Sequence, residues 1–284
     1  MPFASYAQLV SDLNTHLPAL LLISGLIGLL VGSFLNVVIH RLPRMMELEW
    51  QASNSDTPPV RYNLLRPRSS CPQCQQQLSI ADNIPLLSYA LLRGRCRYCQ
   101  HPIAARYPLV EACTGILTAV VAWQFGWGWQ MLTAWLFLWA LIALTFIDLD
   151  TYLLPDSITL PLLWLGLLIN LGGSGYTDLH SAVIGAAAGY LSLWSVYWLF
   201  KLIRGKEGMG YGDFKLCAAI GAWFGWQVLP AVILLSSLIG AVVGILLLVT
   251  SRQNSQTPIA FGPYLALAGL ATLLWSDTLA MLGY

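Results

Sequence analysis

The stretch WLFLWALIALTFID, residues 135–148, is an almost uninterrupted apolar run that ends on an acidic residue. Extended back to Met131, it reaches the range of about 17–25 residues that a helix needs to cross a bilayer. The rest of the chain has the same character: 57% of its 284 residues are hydrophobic and 10% are charged, against roughly 25% charged residues in soluble domains. The composition therefore argues against an ordinary soluble domain and predicts a membrane protein built from α-helices.

Further apolar runs of similar length occur along the chain. The stretch 214–250 is too long for one crossing, and Trp226 to Pro230 offers a break between two helices. The first run should remain as an anchor, because no Lys or Arg precedes it and no small-residue cleavage site follows it. The predicted fold class is an all-α, polytopic membrane bundle of about eight transmembrane helices. The predicted spans are 17–39, 107–123, 131–147, 156–172, 181–203, 214–226, 229–250 and 261–282.

When the predicted spans cross the bilayer in alternating directions, the positive charges all lie on one side. Nine of the fourteen Lys and Arg residues lie in the loop 41–106. With alternating spans, all fourteen face the same side, which the positive-inside rule makes cytoplasmic, and both termini face outward. The predicted domains are an N-terminal transmembrane helix (1–40), a cytoplasmic loop domain (41–106) and a membrane core (107–284). The five cations outside the loop are Lys201, Arg204, Lys206, Lys215 and Arg252.

The loop 41–106 contains two C-x-x-C motifs, CPQC at 71–74 and CRYC at 96–99, separated by 21 residues. Two such motifs can place four thiolates around one tetrahedral ion, for which Zn²⁺ is the usual choice. Disulfides are disfavoured in the reducing cytoplasm, and iron or a redox pair remains the alternative. Four thiolates leave no position for water, so the ion is predicted to be structural and to stabilise this small insertion. The predicted ligands are Cys71, Cys74, Cys96 and Cys99.

Three aspartates follow the third predicted span at its cytoplasmic end. Asp148 directly ends the apolar run and should lie deepest in the bilayer, where ionisable groups are costly and usually functional. Asp156 follows a proline and suits the first turn of a helix, where an acid meets the positive helix end. Asp150 lies in a short turn that it can cap. Asp148 is therefore the predicted functional residue of the three.

A fourth aspartate lies in GMGYGDFKL, residues 208–216, at the cytoplasmic end of the sixth predicted span. Gly210 and Gly212 precede Asp213, and glycines permit a positive φ and the close approach of another chain. An extended peptide substrate could then lie against this backbone beside the carboxylate. The order of the spans brings Asp148 and Asp213 to the same membrane face, which makes a shared site geometrically possible.

Two carboxyl groups within a few ångströms cannot both ionise easily, so they share one proton. The ionised group can activate a water while the protonated group polarises a scissile carbonyl, which is aspartic-protease chemistry. The alternative is a proton- or ion-coupled membrane transporter with a zinc-bound cytoplasmic loop, because transporters also use intramembrane acids. A transporter would usually show paired broken helices in two related halves, and the sequence shows no such duplication.

Several motifs together resemble the type IV prepilin peptidases, which belong to the G-x-G-D intramembrane aspartyl proteases. The resemblance runs in order from about residue 20 to about residue 270. It implies that Asp148, which begins D-x-D-x-x-x-x-P-D, and Asp213 of G-x-G-D are the catalytic pair. The motifs that carry it are GSFLNVVIHRLPRMME (32–47), the two C-x-x-C motifs, RYPLVE (106–111), FIDLDTYLLPD (146–156) and GMGYGDFKL (208–216).

The resemblance also implies the activities and partners of such an enzyme in a bacterial inner membrane. Members cut the basic leader of prepilins, or of the pseudopilins of type II secretion, at the cytoplasmic boundary. They then N-methylate the new amino terminus with S-adenosylmethionine. The expected partners are these substrates and the lipid bilayer, with no nucleic acid. The residues that bind S-adenosylmethionine are not identified by any glycine-rich fingerprint, and the candidate segments are Gly32 to Glu47 and Gly94 to Arg106.

Overall fold

A computed structural model describes residues 16–53, 62–79, 81–173, 175–206, 208–250 and 260–281. Two cations used in the orientation argument, Arg61 and Arg252, lie outside these ranges. The described part is helical, with two isolated β-bridges and a 3₁₀ turn at Ala81–Asn83. Its helices are α1 (Leu17–Ser53), α2 (Leu87–Leu91), α3 (Arg106–Phe125), α4 (Trp129–Thr151), α5 (Asp156–Leu171), α6 (Leu179–Arg204), α7 (Tyr211–Phe224), α8 (Leu229–Thr250) and α9 (Gly262–Met281).

Each of the predicted apolar runs forms a helix, which confirms the all-α membrane fold. Five helices, α1, α3, α4, α6 and α8, are long and apolar enough to cross a bilayer. Helix α5 is a shorter apolar helix, and α7 has 14 residues. The chain breaks between Phe224 and Leu229, as the sequence predicted.

The predicted loop 41–106 is helical over its first part, because α1 continues to Ser53. Its last turns contain Met, Glu, Leu and Gln, which are good helix formers. The Arg44 guanidinium pairs with the Glu47 carboxylate one turn later, and both side chains are about half exposed. The predicted first span, 17–39, therefore ends before the helix does, since polar residues continue the helix beyond the apolar segment.

The chain separates into two compact units, Met1–Trp139 and Ala140–Tyr284. In the first unit, α1 packs against α3 through glycines. A Cβ on Gly28 would lie 2.6 Å from Thr118 Oγ1, and one on Gly32 would lie 2.8 Å from the Glu111 Cα. Only glycine allows this backbone approach, which is typical of helix pairs in membranes. The three-domain division predicted from the sequence stays a prediction.

In the second unit, α7 is surrounded by other helices and is buried along almost its whole length. Helices α6 and α7 approach closely, because a Cβ on Gly185 would lie 2.3 Å from the Gly221 carbonyl oxygen. At the far end of α7, the Asn170 Nδ2 donates hydrogen bonds to the carbonyls of Ala222 and Trp223 at 2.9 and 3.0 Å. These contacts hold α7 in place, and Asp213 lies in its first turn.

Candidate active site

Asp148 lies one turn before the end of α4 and is buried, with 4% of its surface exposed. Its Oδ2 accepts a hydrogen bond of 2.9 Å from the backbone N–H of Gly262, the first residue of α9. The first N–H groups of a helix have no partner within the helix, and the positive end of the helix dipole favours a carboxylate there. The start of α9 therefore provides a ready-made anchor for Asp148.

Asp213 is the third residue of α7 and is 6% exposed. Its Oδ2 accepts a hydrogen bond of 3.2 Å from the N–H of Gly210, which precedes the helix. The other oxygen, Oδ1, is buried and has no hydrogen-bond partner among the residues that the structure describes. A buried polar atom without a partner is costly and marks a position where a proton, a water or a substrate atom is accommodated.

The segments that hold the two buried carboxyl groups pack on one shared residue. Leu154, in the turn between α4 and α5, contacts the segments that hold both of them. A Cβ on Gly212 would lie 2.6 Å from the Leu154 Cβ, and one on Gly262 would lie 3.1 Å from its methyl groups. The tertiary structure thus joins two acids that are far apart in sequence.

The other two acids of the cluster are exposed. Asp150 is exposed, although Asp148, two residues earlier, is buried. Asp156 lies in the first turn of α5, as predicted, and the Lys215 ammonium contacts both of its oxygens at 2.6 and 2.7 Å. The sequence analysis missed this ion pair, which joins α5 to α7 two residues after Asp213.

The two glycines before Asp213 do not adopt the positive φ that the sequence analysis allowed. Gly210 has φ −82° and ψ 150°, which any residue can adopt, and Gly212 is helical. Their small size matters in different ways. A Cβ on Gly212 would clash with Leu154, whereas one on Gly210 would meet only ordinary contacts, the nearest at 3.6 Å from Asp213 Oδ2. The backbone at Gly210 is therefore the more open of the two.

The four cysteines of the C-x-x-C motifs come together in the first unit, and none forms a disulfide. The two motifs fold alike. The Cys71 N–H donates to the Gln76 carbonyl at 3.0 Å, and the Cys96 N–H donates to the His101 carbonyl at 2.9 Å. The residue that follows each motif has a left-handed backbone, with φ of 59° and 58°. Each motif is thus a tight knuckle whose turn directs its cysteines toward the other.

The cysteine cluster fits a tetrahedral metal ion. All four Sγ atoms lie within 4.8 Å of one another, and those of Cys71 and Cys99 are 3.8 Å apart. Zn–S bonds of about 2.3 Å in a tetrahedron place sulfur atoms about 3.8 Å apart. The backbone amides of Cys74 and Gln73 lower the pKa of Cys71 to about 6, whereas burial and the neighbouring thiols raise the pKa of Cys99 to about 11. Of these two cysteines, only Cys71 is therefore favoured as the thiolate that metals bind.

Of the residues that hold the buried acids, Gly262 and Leu154 were not identified from the sequence. Gly262 acts through its backbone N–H, and its partner Asp148 is 114 positions away in the chain. The dipeptide Gly262-Pro263 is a recognisable helix start and marks free N–H groups. It does not indicate which acid they bind.

Comparisons with known proteins identify similar sequences. Two sequence-family models match the chain. The family described as bacterial peptidase A24 N-terminal domain matches residues 26–125, and the type IV leader peptidase family matches residues 135–245. Three similar proteins each bear the name prepilin leader peptidase/N-methyltransferase. That of Aeromonas salmonicida (strain A449) is 60% identical over 263 residues, 89% of this chain and 90% of that protein. That of Stutzerimonas stutzeri is 54% identical over 91% of this chain and 92% of its own length, and that of Pseudomonas aeruginosa is 52% identical over 95% of both.

No solved structure matches the chain. The two family models cover its two halves in order, and the relatives align over almost the whole of it. The resemblance inferred from the motifs is confirmed, and the chain belongs to the type IV leader peptidase family.

Proposed function

We propose that this protein cleaves the N-terminal leader of type IV prepilins or secretion pseudopilins and N-methylates the residue that cleavage exposes. The observation that carries the peptidase assignment is the buried pair Asp148 and Asp213 with the unpartnered Oδ1 of Asp213. The names of the similar proteins support both activities. The transporter alternative receives no support from these comparisons.

The two carboxyl groups are not equivalent, and their contacts suggest different roles. Asp148 accepts a hydrogen bond from a helix N-terminus, which stabilises its ionised form. It is the general base that takes a proton from the attacking water. Asp213 has a buried oxygen without a partner, which suits the protonated member of the pair. It donates its proton to the carbonyl oxygen as the water oxygen bonds to the carbonyl carbon.

Collapse of this tetrahedral intermediate breaks the C–N bond. The leaving amine takes the proton that Asp148 received from the water, one hydroxyl of the intermediate returns a proton to Asp213, and the other product is the carboxyl end of the leader. The scissile segment lies in extended form along the backbone at Gly210, where the space is open. Gly212 supports this placement indirectly, because its contact with Leu154 seats the start of α7.

Methylation of the new amino terminus uses S-adenosylmethionine, which supplies the methyl group when bound. The residues of this chain must bind the donor, orient the substrate amine toward its methyl carbon and accept the proton that the amine loses. Zn²⁺ held by Cys71, Cys74, Cys96 and Cys99 would be structural, since the four sulfurs complete its coordination. The side that carries the cysteine cluster and the aspartate pair is the cytoplasmic face of a bacterial inner membrane, as the distribution of Lys and Arg favours.

The test is a mass-spectrometric assay of the purified protein in detergent with a prepilin and S-adenosylmethionine. We expect a product shortened by its leader and heavier by one methyl group. Asp148→Asn and Asp213→Asn should each abolish cleavage, because an amide can neither accept nor donate the required proton. Asp150→Asn is the matched control and should retain substantial cleavage, since Asp150 is exposed.

The outcomes separate the parts of the proposal. An inactive Asp150→Asn with an active Asp148→Asn would refute the assignment of the pair. A shortened but unmethylated product would leave a peptidase only. Uncleaved prepilin, together with proton or ion flux in proteoliposomes, would favour the transporter instead.

A further inference from the structure

The first unit contains a cavity of about 580 Å³ that the peptidase reaction does not use. Its volume falls within the range of about 300–1,000 Å³ that is typical of small-molecule sites. Its walls come from α1, the two cysteine knuckles, the segment around α2 and the start of α3. Both segments that the sequence analysis suggested for the methyl donor contribute, the first through Asn36 and His40 and the second through His101 and Ile103.

Several charged groups of this cavity are already engaged, and a further guanidinium, that of Arg68, also lines it. Arg41 donates hydrogen bonds to the carbonyls of Asn63 and Leu64. The Arg97 guanidinium is paired with Asp82 at 2.7 Å. The Glu111 carboxylate accepts a hydrogen bond from a backbone amide, and no Lys or Arg of the described residues forms an ion pair with it.

Glu111 is held in place by the backbone around it. Its Oε2 accepts a hydrogen bond of 2.9 Å from the Leu86 N–H, and Leu86 has a left-handed backbone with φ 56°. Such strain in a residue other than glycine persists only where the surroundings impose it, and it is concentrated at functional sites. On the other side, Gly32 touches the Glu111 Cα so closely that no other residue fits. The carboxylate is therefore placed firmly at the cavity wall.

We infer that this cavity binds S-adenosylmethionine and that Glu111 binds its cationic part. The inference rests on the proposed methylation. The donor carries a sulfonium and an ammonium, and a carboxylate attracts both. The rings of Tyr89 and Tyr107 also line the cavity, and an aromatic face can stack on the adenine or contact a cation. Cys71 and Cys96 form part of the wall, so the cysteine cluster shapes the site.

The experiment measures binding of radiolabelled S-adenosylmethionine to the purified full chain by equilibrium dialysis, without a prepilin. Glu111→Gln keeps an oxygen that accepts the Leu86 N–H and removes only the charge. It should weaken binding at least about tenfold, the usual effect of losing one charged contact. Glu49→Gln is the matched control, because Glu49 is exposed on α1 and lies outside the cavity. It should bind as the wild type does.

Two further measurements keep the inference falsifiable. Leader cleavage and metal content should be unchanged in Glu111→Gln, which shows that the variant folds. Ultraviolet cross-linking of the bound donor should label peptides within residues 81–111. If Glu111→Gln binds the donor like the wild type, or if label appears only in residues 140–284, the cavity assignment is wrong. If the wild type cleaves leaders but neither binds the donor nor methylates, the proposed methylation itself fails.

Discussion

Gly262→Ala tests the hydrogen bond that anchors Asp148 without touching either carboxylate. A Cβ at this position would lie 2.7 Å from Asp148 Oδ2 and 3.1 Å from the Leu154 methyl groups. An ordinary C···O contact is about 3.3 Å or longer, so the carboxylate must move by about 0.6 Å. The backbone at Gly262 is helical and does not have a positive φ, so alanine introduces no backbone strain.

The displacement weakens or breaks the 2.9 Å hydrogen bond from the Gly262 N–H. A hydrogen bond to a charged group contributes about 1.5–3 kcal/mol, and each 1.4 kcal/mol corresponds to about tenfold in rate. We therefore expect kcat for leader cleavage to fall by about 10- to 100-fold. KM should change little, because substrate binding along Gly210 is unaffected.

The assay is steady-state cleavage of a prepilin, with thermal unfolding in detergent measured alongside. Gly128→Ala is the matched control, since a Cβ there would meet nothing within 4 Å and its φ is not positive. It should cleave like the wild type. If Gly262→Ala retains its fold and cleaves within about twofold of the wild type, the Gly262 N–H does not hold a catalytic carboxylate and the reasoning is refuted.

The ion pair of Lys215 and Asp156 leads to a smaller effect. Lys215→Met should lower kcat by about fivefold at most, because the Lys215 and Asp156 side chains are 25% and 55% exposed and such pairs contribute about 0.2–1 kcal/mol. High salt should lower the kcat of the wild type by the same factor. A wild-type kcat that does not change with salt would argue against a contribution of this ion pair. Elemental analysis should find about one zinc per chain, lost when Cys71 and Cys96 are both changed to Ser; a metal-free wild type purified under reducing conditions would contradict the zinc site. Gly185→Ala should destabilise the second unit by about 1–3 kcal/mol, since its Cβ would meet a backbone oxygen at 2.3 Å. An unchanged midpoint of thermal unfolding would disprove that close approach.

Local sequence patterns were sufficient for the helices and for the cysteine cluster. Apolar runs of membrane length determine helices wherever they occur, because a lipid-exposed backbone must satisfy its hydrogen bonds within the segment. The two C-x-x-C motifs predicted that the four cysteines lie together, since each knuckle forms from neighbouring residues. The end of α1 at Ser53 was missed because helix formers continue a helix after its apolar face has ended.

The choice of Asp148 over Asp150 also came from the sequence, since Asp148 directly ends an apolar run, and in the structure Asp148 is buried whereas Asp150 is exposed. Its anchor did not follow, because the donor is a backbone N–H on α9 and every residue except proline carries such a group. The pairing of Lys215 with Asp156 was also unpredictable, because a cation near the bilayer has several acids within reach.

The sequence alone thus determined that this protein is a helical membrane protein with a four-cysteine cluster and candidate acids at Asp148 and Asp213. These features depend on residues that are close in the chain, or on the bulk preference of apolar side chains for lipid. Only the tertiary structure decided which groups hold the acids, how closely α6 and α7 approach, and that Glu111 lines a cavity of about 580 Å³. Those features depend on packing between helices that are distant in sequence. At these contacts a glycine, which has no Cβ, sets the distance between the two helices.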